Sequence, residues 1–116
     1  MLTLLLTVAL SLVTVLALHE AGHAIAALAL GGRQVRLIGR PWGAAVEALL
    51  PVTAGAQLTF VLAGPLASAC AGAALACAGG VLLIPGALSA AFALLCLIPY
   101  GRSDGARALS IVRSRG

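Results

Sequence analysis

The 116-residue chain is 62% hydrophobic and 9% charged, whereas a soluble domain runs near ~45–50% apolar and ~25% charged. Its net charge of +4 comes from seven arginines and no lysine, with only four aromatic residues, which argues against a nucleic-acid-binding surface. A single membrane-embedded domain over residues 1–116 is expected, because with a mean hydropathy of +1.15 the lipid bilayer itself solvates much of the outer surface.

The first apolar stretch runs over 2–30, ~43 Å if wholly helical and so longer than the ~30 Å hydrocarbon core. No positive charge precedes Arg33, which favours an uncleaved helix over a signal peptide. Gly31-Gly32 supplies the stop. Residues 31–53 change character: Arg33 to Ile38 has strand-like content, Gly39-Arg40-Pro41-Trp42-Gly43 is turn material, and Ala44 to Leu50 is a second short strand or a helical turn. A hairpin or loop at the membrane surface is expected, with Trp42 as an interfacial aromatic.

The second span covers 54–78. Gly64, Ser68, Gly72, Ala76 and Gly80 recur at four-residue intervals, a stripe of small side chains that lets another backbone approach closely. Pro65, beside the stripe, removes a helical N–H and is expected to kink the helix. Gly79-Gly80 connects to a third span over 81–99, whose helix could begin only at Pro85-Gly86. Residues 100–116 form a basic tail with one or two interfacial helical turns from Ala108 onward. The expected fold class is therefore an all-α membrane protein with three transmembrane helices and a short surface hairpin between the first and second. Arg33, Arg36 and Arg40 in the loop and Arg102, Arg107, Arg113 and Arg115 in the tail fall on one side, which the positive-inside rule makes cytoplasmic, with the N-terminus outside. Cys70, Cys77 and Cys96 lie in apolar runs without a C-x-x-C pair, as packing residues do.

The chemistry concentrates in His19-Glu20-Ala21-Gly22-His23. Ionisable groups inside an apolar helix cost about 2.5–3.5 kcal/mol each on the insertion scale, so three together point to function. His19 and His23 share one helix face and can take two positions on a metal, while Glu20, rotated ~100° from His19, stands beside it as a proton acceptor for a water. A catalytic zinc keeps three protein ligands and one open position. Two other acids exist, Glu47 in the surface loop and Asp104 at the cytoplasmic end of the third span, where Gly105 allows a turn. Asp104 is the better placed, with Glu47 as the alternative.

With these motifs the chain resembles the site-2-protease-type intramembrane zinc metalloproteases, in the short bacterial-type branch. His19-Glu20-Ala21-Gly22-His23 looks like that family's H-E-x-G-H helix, Ala63-Gly64-Pro65-Leu66-Ala67-Ser68 like its A-G-P-x-A-N/S helix, and Leu97-Ile98-Pro99 with Ser103-Asp104-Gly105 like its N-L-x-P…D-G segment. The resemblance covers the three-helix core. It implies one Zn2+ per chain on His19, His23 and Asp104, Glu20 as general acid/base, and hydrolysis of membrane-embedded or membrane-proximal peptides in a bacterial cytoplasmic membrane. It also implies substrate positioning or helix packing by Gly64, Pro65, Ser68 and Cys96; Ser68 and Cys96 stand where many members carry asparagine. The partners implied are a membrane protein or peptide substrate and the bilayer, with room for a regulatory membrane partner or oligomer. Two other classes compete: an inactive zinc-binding membrane scaffold of the same fold, which has no need of Glu20, and a metal or proton transporter, which three spans with their ionisable groups on one side do not serve.

Overall fold

The computed structural model describes residues 1–40, 43–101 and 103–115. Helix α1 (Leu2–Ala29) is followed by strands β1 (Arg33–Arg40) and β2 (Gly43–Leu49), then by helices α2 (Ala54–Ala78), α3 (Leu83–Leu97) and α4 (Asp104–Arg115). One turn of 3₁₀ helix, Gly80–Leu82, leads into α3. Three helical segments, Leu2–Ala29, Ala54–Ala78 and Gly80–Leu97, are long and apolar enough to cross a membrane. Pro41, Trp42 and Arg102, to which the turn, the interfacial aromatic and one tail charge were assigned, lie outside the described residues.

Helix α1 buries Ser11, Val15, His19, Gly22, His23 and Ala27, a stripe at three- and four-residue spacing. Leu2, Leu5, Leu10, Val13, Ile25 and Leu28 on its other faces are exposed. Apolar residues inside and outside alike suit a helix whose outer surface meets lipid rather than water. The helix ends in a Schellman motif: Gly31, at φ 74°, lets its own N–H reach the Leu28 carbonyl and that of Gly32 the Ala27 carbonyl. A Cβ at Gly31 would oppose that left-handed conformation.

The hairpin pairs β1 with β2 antiparallel, with Arg36 opposite Glu47 and Leu37 opposite Val46. Between Arg33 and Arg36 the register slips, and Gln34, at φ 53°, sits in this bulge, which bends the strand. Val35, Val46, Ala48 and Leu50 press onto the cluster of Ala27, Phe60 and Val61, and Ala108 and Ile111 of α4 close it from the other side. Hairpin and α4 thus cap the same end of the helical bundle.

The small-residue stripe of α2 meets two different helices. Steps of four residues on a helix of 3.6 per turn drift by ~40° each, so Gly72 is turned ~80° from Gly64. Gly64 accordingly faces the His23 ring on α1, whereas a Cβ on Gly72 would come within 2.8 Å of the Gly86 carbonyl on α3. Ser68 lies between them, fully buried, its carbonyl accepting a 2.7 Å hydrogen bond from Ser89 Oγ of α3. Gly80 does not join the stripe: it adopts φ 60° and a Cβ there would meet nothing.

Two local expectations are corrected. Helix α3 begins at Leu83, before Pro85-Gly86; proline is tolerated in a first turn, where its missing N–H has no helical partner anyway. The tail is helical from Asp104 rather than from Ala108. Gly105 therefore lies inside α4 and serves close approach instead of a turn, since a Cβ there would collide with the Leu97 carbonyl.

Candidate metal centre

His19 and His23 lie on adjacent turns of α1 with ring centroids 4.8 Å apart. Their Nε2 atoms approach to 3.2 Å. Asp104, the first residue of α4, reaches the same spot: Oδ2 is 3.0 Å from His19 Nε2 and 3.4 Å from His23 Nε2. Ligands at ~2.0–2.1 Å around a tetrahedral ion stand about 3.3 Å apart, so the three atoms already have the spacing of three corners of such a site. All three residues are buried. The ligand atoms of His19, Cys96 and Asp104 also lie within 4.8 Å of one another, and this group could hold a metal ion.

Each side chain is held by its surroundings. His23 Nδ1 lies 2.8 Å from the Phe60 carbonyl. A carbonyl can only accept, so Nδ1 carries a proton and Nε2 is the nitrogen left to face Asp104, or a cation when the ring is neutral; such outer partners orient metal-ligating histidines. Phe60 belongs to the turn of α2 that Pro65 loosens by lacking an N–H for the Val61 carbonyl, and α2 nevertheless continues through it. The His19 ring stands edge-on to Phe92 of α3, centroids 5.0 Å apart, and its Nδ1 is buried without a hydrogen-bond partner among the described residues.

Asp104 is delivered by the α3–α4 connection. Ser103 caps α4, its Oγ accepting from Ala106 N at 3.1 Å while donating to the Ile98 carbonyl at 2.6 Å. That pins the helix start to the end of α3. At the first helical position the Asp104 carboxylate also meets the positive end of the helix dipole. Burial pushes the Asp104 carboxyl up, but hydrogen bonds and charge from His19 and His23 outweigh it and hold the group well below the usual carboxylate range. Arg107 Nη1 lies 3.7 Å from Oδ1, with the guanidinium carbon 6.0 Å from the Phe60 ring centroid.

Glu20 is turned from the histidines toward the hairpin, where Oε2 accepts a 3.0 Å hydrogen bond from the backbone N–H of Val46. A cleft of about 1280 Å³ joins His19, Glu20, His23, Cys96 and Asp104 to strand β2. A smaller apolar pocket of about 550 Å³ between α1 and the hairpin also reaches Glu20. Glu47, the other acid weighed as a ligand, lies in β2 and pairs with Arg36 at 3.1 Å.

Of the residues singled out from sequence, His19, His23, Asp104 and Cys96 gather at one point, Glu20 borders it, and Gly64 floors it against the His23 ring. Pro65 and Ser68 are buried in α2 packing. Phe60, Phe92, Ser103 and Val46 were not anticipated. Ser103 alone carries a readable signal, a serine before an acid-led helix; the others act through backbone atoms or ring edges. Comparison with protein-family models, curated proteins and solved structures finds no match to this chain.

Proposed function

We propose that this chain is an intramembrane zinc metalloprotease, related in mechanism to the site-2 proteases that its motifs resemble. The observation that carries the proposal is the convergence of His19 Nε2, His23 Nε2 and Asp104 Oδ2 within 3.0–3.4 Å, with the Glu20 carboxylate one residue away. Two imidazoles and a carboxylate make a donor set suited to zinc. A zinc ion bound there would act as a Lewis acid toward a peptide carbonyl and make a water easier to deprotonate. Glu20, with Oε2 held on the Val46 N–H, would offer its other carboxylate oxygen as the general base that takes a proton from a water and returns it to the departing amine. The hairpin edge and the cleft beside it hold the substrate extended, because a helical membrane segment hides its carbonyls in its own hydrogen bonds.

In this proposal the three apolar helices span a bacterial cytoplasmic membrane, and the arginine-bearing hairpin and α4 lie on the cytoplasmic side. The substrate is a membrane protein or a membrane-proximal peptide. A non-hydrolytic metal-holding scaffold is the competing function, and Glu20→Gln separates the two. Purified wild-type protein in detergent is expected to hold one zinc per chain and cleave a membrane-peptide substrate. Glu20→Gln keeps the zinc and loses activity by about 10²–10⁴-fold, the range for a general base. Cleavage persisting in that variant, or absent from zinc-loaded wild type across membrane-peptide substrates, overturns the proposal.

A further inference from the structure

Cys96 is unlike the chain's other thiols. Cys70 and Cys77 are exposed on α2, whereas Cys96 is half-buried on α3 and lines the cleft with His19, His23 and Asp104. Its sulfur stands within 4.8 Å of ligand atoms of both His19 and Asp104, and no hydrogen bond engages it among the described residues. Around a tetrahedral ion, a sulfur at ~2.3 Å and a nitrogen or oxygen at ~2.0 Å stand about 3.5 Å apart. Toward His19 and Asp104 the thiol therefore has to close little more than an ångström to share an ion with them. Thiolate is also the strongest soft donor in the cleft, and zinc and cobalt accept it readily.

We infer that Cys96 Sγ is the fourth metal ligand of the resting protein, closing the position that His19, His23 and Asp104 leave open. The inference rests on those three residues forming the metal site. On coordination the S–H bond breaks, the metal–sulfur bond forms and the proton leaves to solvent. A site with four protein ligands is closed, as structural zinc sites are, while catalysis requires an open position. Substrate entry then has to displace the sulfur, so Cys96 sets a resting state in which water is not activated until a peptide is bound.

The test uses full-length protein in detergent micelles loaded with one equivalent of Co2+ and read by absorption spectroscopy. Wild type is expected to show visible ligand-field bands together with a near-ultraviolet thiolate-to-cobalt charge-transfer band. Cys96→Ser keeps one cobalt per chain, loses the charge-transfer band and binds zinc about tenfold more weakly or worse, a loss that even outer-shell changes can cause. A Cys70→Ser/Cys77→Ser double variant retains the band, and in that background bound zinc protects Cys96 from maleimide labelling. Because the labelling needs no substitution at Cys96, a misfolded Cys96→Ser leaves the inference testable. Cobalt uptake without the band, or full labelling of Cys96 with zinc bound, overturns it while sparing the three-ligand site. Absence of cobalt uptake removes the metal site and this inference together.

Discussion

The Glu20 carboxylate accepts a 3.0 Å hydrogen bond from the backbone N–H of Val46, tying the proposed general base of α1 to strand β2 across 26 residues of sequence. The N–H is directed at α1, so the contact fixes both the carboxylate and the seating of the hairpin. Val46→Pro removes the donor, and proline is tolerated where a strand N–H faces away from the ladder. Peptide cleavage is expected to fall by about ten- to a hundredfold through misplacement of the base, with zinc content unchanged by elemental analysis. Loss of zinc in Val46→Pro would mean that the hairpin supports the ligands and not only Glu20.

Asp104 predicts a pH dependence of the metal-free protein. Burial raises its carboxyl pKa, but the hydrogen bonds and charge of His19 and His23 prevail and lower it. A carboxylate lowered in the folded state stabilises above its unfolded value of about 3.9 and loses that contribution as pH falls through the folded value. The difference in Tm between wild type and Asp104→Asn, both freed of metal, should shrink as the buffer is taken from about pH 4 to more acid values, where the carboxylate is protonated. A gap that widens below about pH 4 contradicts the contacts to both histidines.

Gly64 and Gly55 lie on the same helix and should respond oppositely to alanine. At Gly64 a Cβ would stand 2.8 Å from Cδ2 and Cε1 of His23, so Gly64→Ala displaces a ligand ring and is expected to reduce zinc affinity by tenfold or more. A Cβ at Gly55 meets nothing within 4 Å, so Gly55→Ala should leave zinc binding alone and stabilise the helix by up to about 1 kcal/mol. Isothermal titration with zinc and thermal unfolding separate the two effects.

Gly105→Ala addresses how Asp104 is delivered. The added methyl collides with the Leu97 carbonyl and forces α4 away from the end of α3, an overpacking that costs about 1–3 kcal/mol. Zinc stoichiometry should drop while the far-ultraviolet circular dichroism of the helices is kept, because the loss is confined to the third ligand.

Much of this architecture is legible in the sequence because the bilayer makes hydropathy a direct reporter of helix length. The second span was expected over 54–78, the bounds that α2 has, with Thr53 capping and Gly79 stopping it. The i, i+4 spacing of His19 and His23 likewise dictates their shared face. Asp104 is different. Its place depends on Gly105 against Leu97 and on Ser103 bridging to Ile98, contacts that fold α4 back toward α1 and leave no periodic trace. The Val46 donor is a main-chain atom, which any residue but proline supplies, so no side-chain pattern could have marked it. Cys96 looked like packing because its neighbours in sequence are leucines; its neighbours in space are a histidine and an aspartate.

The three apolar helices differ in reach. Leu2–Ala29 has 28 residues and Gly80–Leu97 has 18, ~42 Å against ~27 Å at 1.5 Å per residue, on either side of a ~30 Å hydrocarbon slab. Six residues separate the end of the short segment from Asp104, the first residue of α4. Such a mismatch is met by tilting the long helix or by thinning the bilayer along the short one, and thinning along α3 would draw the aqueous boundary toward His19, His23 and Asp104. The proposed hydrolysis consumes water, and a bilayer thinned along α3 would bring that water to the end of the helix from which Asp104 is delivered.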